Sequence, residues 1–193
     1  ELDWGLGLLA RRNGRLAEAE PHMRRALALA RGEADRWREY KCLTWLAVVC
    51  LEQRRLADVE GLCAELSDVA TRLGEDAPFA ETLAVLAALR AGAPGAEDRL
   101  DAAITQLRAV DDKGYLAYAL NAAADHYLGA GQVEAARAMA EEALSAALAV
   151  RREDEAAAAR AILARAAVAG PAISTVAPTR TGHAAGRLRI RRN

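Results

Sequence analysis

Two amphipathic stretches joined by a short turn recur along this chain about every forty residues, and no other feature limits its possible folds so strongly. In the first copy Leu6, Gly7 and Ala10 share a helical face, Asn13 and Gly14 form a turn, and Ala19, Met23, Ala26 and Leu27 line the next face. The second copy has Leu43, Leu46, Ala47 and Cys50, a turn at Arg54, then Val59, Cys63 and Leu66. The third runs Ala84, Ala87, Ala88 and Ala91, a turn at Gly95, then Leu100, Ile104 and Leu107. The fourth has Leu120, Ala123, Ala124 and Tyr127, a turn at Gly131, then Ala136, Ala140, Ala143 and Leu144. Anchored on Gly14, Arg54, Gly95, Gly131 and Gly170, the copies are spaced by 40, 41, 36 and 39 residues.

Steps of three and four put these side chains where neighbouring helices meet, and their small size lets the helix axes approach closely. Glycine at a turn supplies the positive φ that closes a helix, whereas Arg54 must adopt the same turn without that freedom. The pattern predicts nine helices over 2 to 12, 15 to 31, 35 to 53, 56 to 73, 78 to 92, 96 to 110, 113 to 130, 132 to 150 and 153 to 169. The links at 32 to 35, 74 to 78, 111 to 114 and 151 to 154 join one pair to the next. Pro21 conflicts locally with the second span, because it removes a backbone donor. Of the 193 residues 53% are hydrophobic but only 4% aromatic, which suits close-packed helices and not a sheet. An antiparallel bundle shares the binary pattern but does not require the same order of small residues after every turn.

These residues resemble the tetratricopeptide signature, over roughly residues 2 to 169. Copy four matches with Leu120, Ala123, Ala124, Tyr127, Ala136, Ala140 and Ala143, and copy one with Leu6, Gly7, Ala19, Met23 and Ala26. Copy two departs at Arg54 and Val59, copy three at Leu100, and the proline that usually closes a repeat is absent. The resemblance implies an all-α fold, a right-handed α-solenoid of helix-turn-helix repeats: four helical pairs and a lone final helix within residues 1 to 170. Repeats near forty residues, with charged links such as Gly32 to Trp37, look like the divergent MalT-like arrays of bacterial signal-transduction ATPases, cyclase-linked ATPases and transcriptional regulators. In such proteins the array is an arm that senses a ligand or partner and controls an attached domain.

The resemblance also places the first helix of each pair on a concave groove. Its lining would be Trp4, Leu8, Arg11 and Arg12; Lys41, Thr44, Val48, Leu51 and Glu52; Thr82, Val85 and Leu89; and Tyr118, Asn121, Asp125 and Leu128. Such a mixture suits a protein or peptide segment, anchored by aromatics and registered by charge. The alternative is that Trp4, Val48, Leu51, Val85 and Leu89 pack against adjacent helices. A chaperone-type carboxylate clamp does not fit, since Trp4 and Leu8 stand where its Lys and Asn would be. Trp37, Tyr40 and Trp45 fall on one broad face, as packing or as an aromatic ligand site.

Catalytic and cofactor signatures are missing. There is no phosphate-binding loop, and Gly92 to Gly95 reads as an interhelical turn. His22, His126 and His183 are scattered, and the neighbours Asp125 and His126 point apart on a helix. Cys42, Cys50 and Cys63 lack zinc-ligand spacing and read as small buried hydrophobes in a reducing, cytoplasmic compartment. Acidic pairs such as Glu141-Glu142 and the run Arg151 to Glu155 read as solvated faces and helix ends. The expectation is a non-enzyme without cofactor or metal. No uncharged apolar run reaches the roughly 18 residues that a membrane span needs. Residues 171 to 193 hold five arginines and no acid, which leaves 21 of the 26 basic residues against all 27 acids. That mildly acidic body argues against nucleic acid as a partner. The basic, disorder-prone tail keeps one alternative, a transcription-regulator segment that contacts nucleic acid. Glu1 stands where an initiator Met would be, so the expectation is a piece of a longer polypeptide.

Overall fold

The computed structural model describes residues 2–169, and among them nine α-helices and no strand. They are α1 (Leu2–Arg12), α2 (Leu16–Gly32), α3 (Arg36–Glu52), α4 (Leu56–Leu73), α5 (Pro78–Arg90), α6 (Ala96–Ala109), α7 (Lys113–Gly129), α8 (Val133–Ala149) and α9 (Glu153–Ala169). Each follows the expected span within two residues. The basic segment 171 to 193 lies outside the described residues.

Every connection passes through a residue in the left-handed region: Gly14, Ala34, Arg54, Gly74, Gly92, Asp111, Gly131 and Arg151. These positions recur at intervals of 18 to 20 residues. At most of them the same pair of hydrogen bonds closes the helix, as where Arg54 N donates to Leu51 O (3.1 Å) and Arg55 N to Cys50 O (2.9 Å). The first donor reaches back three residues and the second five, which satisfies two helix-end carbonyls and reverses the chain at once. The next helix then starts with almost no loop. A left-handed conformation costs a side-chain-bearing residue about 1 kcal/mol, so Ala34, Arg54, Asp111 and Arg151 hold it at a cost that the packed hairpins offset. Asp35 and Asp112 recover part of this locally, because their carboxylates accept from Arg38 N and from Gly114 N and Tyr115 N.

The third repeat corrects the sequence-based register. Both Gly92 (φ 71°) and Gly95 (φ 71°) are left-handed, and α5 ends at Arg90, so Gly92 closes α5 while Gly95 caps α6. Ala91, expected on the buried face, is outside the helix and exposed. Leu83, Val85, Leu86 and Leu89 are buried instead, with Ala84 and Ala88 only partly covered. Pro21, by contrast, does not interrupt α2: the helix continues from Leu16 to Gly32 and the proline is exposed.

Each hairpin packs its two helices together, and its second helix also packs on the first helix of the next pair: α2 on α3, α4 on α5, α6 on α7 and α8 on α9. Small side chains make this possible. Ala19, Ala136, Ala140, Ala143 and Ala147 are completely buried on the second helices, and Gly7 leaves so little room that an added Cβ would come within 2.8 Å of the Met23 side chain. The first helices α3, α5 and α7 also touch one another in turn, so they are buried nearly all round, with every residue from Cys42 to Leu51 buried. The result is a helical repeat array with the first helices inside and the second helices outside.

If the left-handed turn residue sets each hairpin, Ala34→Gly should raise stability by about 0.5–1 kcal/mol, and Gly131→Ala should lower it by about 1 kcal/mol. Urea unfolding of the two variants checks both signs, and equal shifts in the same direction would contradict the reading.

Candidate functional site

The residues expected to line a groove do lie on the first helices, but the structure divides them into a filled middle and two accessible ends. Val48, Leu51, Thr82, Val85 and Leu89 are buried, as is Thr44. The two threonine hydroxyls donate to carbonyls of their own helices, Thr44 to Tyr40 O (2.9 Å) and Thr82 to Pro78 O (2.8 Å). For Val48, Leu51, Val85 and Leu89 the packing alternative therefore describes the surroundings. The aromatic residues fill the centre: Phe79 stacks on Tyr115 (4.1 Å between ring centroids, 9°) and meets Tyr118 edge-on, and Trp45 tilts against Tyr115 at 6.4 Å. Trp45 thus parts company with Trp37 and Tyr40, which stack on each other at 5.6 Å near the surface.

The polar centre forms where α1, α3, α7 and α9 converge. Arg11 grips Glu52 with Nε at 3.0 Å and Nη2 at 2.7 Å, and Nη2 lies 3.6 Å from the Glu155 carboxylate. Its guanidinium sits between the Trp45 ring (5.2 Å) and the Tyr118 ring (5.3 Å), an arrangement that favours a cation over aromatic faces. Arg152 approaches Trp45 from α9's side at 5.5 Å. Asn121 donates through Nδ2 to the Glu155 backbone carbonyl (2.9 Å) and to its carboxylate (3.0 Å). The first and fifth repeats are therefore joined through side chains 144 positions apart, from Arg11 to Glu155.

Charge at this depth carries a desolvation cost that only close partners offset. Burial alone would lower the Arg11 pKa, but the Glu52 carboxylate and its hydrogen bonds outweigh burial and raise it further. Glu155 goes the other way: burial raises its pKa above the usual 4.5, and the opposing pull of Asn121 and Arg11 does not reverse the shift. Burial likewise raises the Tyr118 pKa, so that phenol stays neutral. The Tyr118 hydroxyl and the Asn121 side-chain oxygen are buried without a hydrogen-bond partner among the described residues. Sequence reading of Arg151 to Glu155 as a solvated run needs correction, because Glu155 is buried under α1 and α7.

Two clefts flank this centre. One, of about 420 Å³, is bordered by Arg90, Asn121, Asp125, Ile162 and Arg165. The other, of about 610 Å³, is bordered by Trp4, Leu8, Lys41, Trp45 and Tyr115. Both reach Arg11, Arg12 and Asp154. Around the rims, Arg12 and Lys41 are exposed, Asp125 is held by Arg165 at 2.6 Å, and Trp4 and Leu8 are half-buried, while Leu128, also half-buried, borders neither cleft. The Trp4 indole N–H has no hydrogen-bond partner among the described residues.

The remaining candidates for chemistry fall elsewhere. His126 packs edge-on against Tyr127 while Asp125 turns to Arg165. A histidine–carboxylate pair missed in the sequence does exist, His22 Nδ1 to Asp3 Oδ1 at 2.8 Å, because α1 and α2 lie side by side; Arg25 completes it. Burial raises the pKa of all three cysteine thiols, that of Cys63 to about 12, and none is disulfide-bonded. Among the described residues no cluster of His, Cys, Asp and Glu could hold a metal ion, and no helix is long and apolar enough to cross a membrane.

Fold and site together define a class, an all-helical array of stacked hairpins whose inner face is closed by one charged and aromatic cluster. No protein-family model matches the chain, and no curated protein matches it either.

A raised pKa in the folded state means that ionising Glu155 works against folding as pH rises from its unfolded value. Glu155→Gln keeps the shape without the charge, so it should be more stable than the wild type at pH 7, with the gap closing as pH falls through the raised folded value and gone below about pH 4.5. Urea unfolding at both pH values measures this, and a variant less stable at pH 7 would refute it.

Proposed function

We propose that this chain is a protein-interaction module of the tetratricopeptide type, a regulatory or sensor arm of a larger bacterial signalling protein that works in the reducing cytoplasm. The observation that carries the reading is the pair of clefts beside Arg11, where half-buried Trp4 and exposed Arg12 and Lys41 stand over the buried Arg11, Trp45 and Tyr118 cluster. Buried aromatics and arginines are the residue types that dominate binding energy in protein interfaces. Rigid inner helices present them at fixed spacing, which lowers the ordering cost of binding. The partner is a protein or peptide segment, another domain of the same polypeptide among the possibilities, that inserts an apolar or aromatic side chain near Trp4 and Leu8 and sets carboxylates against Arg12 and Lys41. Neither a nucleic acid nor a membrane fits the balanced charge around these clefts, where Glu52, Asp125, Asp154 and Glu155 offset much of the arginine charge. The nucleic-acid alternative rests on the basic segment 171 to 193.

In this reading the array serves binding. Affinity capture from a bacterial extract with the wild type, a Trp4→Ala/Lys41→Glu variant and an outer-surface control, Arg72→Glu, tests the site. Recovery of the same partner should fall at least tenfold in the double variant and stay level in the control. Equal recovery by all three would remove the clefts as the binding surface.

A further inference from the structure

Among the described residues, one first helix lacks a neighbour that the other first helices have. In α3, α5, α7 and α9 one side is covered by the second helix of the preceding hairpin, whereas α1 packs closely on α2 and α3 and reaches α7 and α9 through Arg11, with no second helix on its other side among these elements. Counted back from the left-handed residue that closes each helix, Leu2, Leu6 and Leu9 of α1 stand where α3 has Cys42, Leu46 and Val49. The three positions are 3%, 0% and 0% exposed in α3, but 77%, 38% and 52% exposed in α1. In α5 and α7 the same places hold Ala80, Ala84 and Ala87, and Ala119, Ala123 and His126, all buried or half-buried. Steps of four and three make Leu2, Leu6 and Leu9 one continuous stripe.

The polar rim of the covered interface repeats as well. At the end of α3, Gln53 Nε2 donates to Leu16 O in the first turn of α2 (3.2 Å). Arg55 pairs twice, with Asp58 of its own hairpin and with Glu20 of the covering helix at 2.6 Å. Asn13 and Arg15 hold the corresponding places after α1. Arg15 makes the own-hairpin contact, to Glu18 at 2.8 Å, and among the described residues it has no carboxylate at the second place.

We propose that Leu2, Leu6 and Leu9 form a docking face for an amphipathic helix of the α2 kind presented by a partner polypeptide. The helix lies antiparallel to α1, turns an apolar stripe of mostly small residues toward the three leucines, and carries a carboxylate in its second turn to meet Arg15. The occupant follows from continuity with the interface that α2 makes on α3, where small side chains and Glu20 do this work. This surface shares Leu9 with the larger cleft beside Arg11, whereas Leu2 and Leu6 lie outside both clefts, so Leu6→Glu tests it independently of the function proposed for them.

The probe is a helix-stabilised, fluorescently labelled peptide with the sequence of residues 15–35, titrated into the full 193-residue chain and followed by anisotropy. Saturable binding is expected, weakened at least tenfold by Leu6→Glu and by Leu9→Glu, two changes at accessible positions whose folding is checked by circular dichroism. Arg15→Glu should weaken binding about threefold, and a Glu20→Lys peptide should restore it on that variant. Binding of equal strength to wild type and both leucine variants would mean that the peptide sits elsewhere, and absence of saturable binding would mean that the face takes no such helix. Either result overturns the proposal. So would a wild-type dimer in sedimentation that Leu6→Glu dissolves, because the occupant would then be a second copy of this chain.

Discussion

A left-handed residue every 18 to 20 positions governs this molecule, because it forces the chain to reverse after each helix with no room for a wandering loop. Helices of 11 to 18 residues joined so tightly pack mainly on their immediate predecessors and successors, with the first helices also touching one another in turn. Each hairpin then stacks on the last, and the alternation of first and second helices sends one set inward and the other outward. Four of the reversals use Ala34, Arg54, Asp111 or Arg151 where glycine would be easier. The period is evidently held by the packing of the hairpins as much as by the turn residues themselves.

The inward set meets at Arg11. With the middle of the inner face taken up by aliphatic and aromatic side chains, the polar groups of α1, α3, α7 and α9 collect in one cluster. Arg11 there satisfies Glu52, faces Glu155 and lies between two aromatic rings. Removal of this one guanidinium would leave two carboxylates without it in a poorly solvated place, which is the costly way to break a buried ion pair. Glu155 already bears part of that cost, as its raised pKa indicates. The cluster also fixes what remains available for binding: two clefts on either side of the arginine in place of a continuous groove.

Much of this was legible in the sequence, and the failures have physical causes. Helix spans followed from the three- and four-residue steps, since small residues at those steps leave few other ways to bury them. The third repeat was misaligned because Gly92 and Gly95 both offer a left-handed turn, and only the end of α5 at Arg90 decides between them. Arg54 stood out as a turn without glycine, whereas Ala34, Asp111 and Arg151, although inside the expected links, carry no local mark of a left-handed conformation. Closure of the inner face was not legible at all. It depends on small rotations accumulated over successive hairpins, and a shift of a few degrees in each would separate Arg11 from Glu155. For the same reason Glu155, in a run of charges, reads as a surface residue although α1 and α7 cover it.

The contact between the first and fifth repeats is the feature on which this account depends most. A double-mutant cycle with Arg11→Met and Glu155→Gln, measured by urea unfolding at pH 7, isolates it. The account predicts that Glu155→Gln is more favourable by about 1 kcal/mol or more in the Arg11→Met background than in the wild type, because the carboxylate there has lost its cation. Additivity within about 0.3 kcal/mol would mean that the two side chains do not interact in solution, and that the inner face is open.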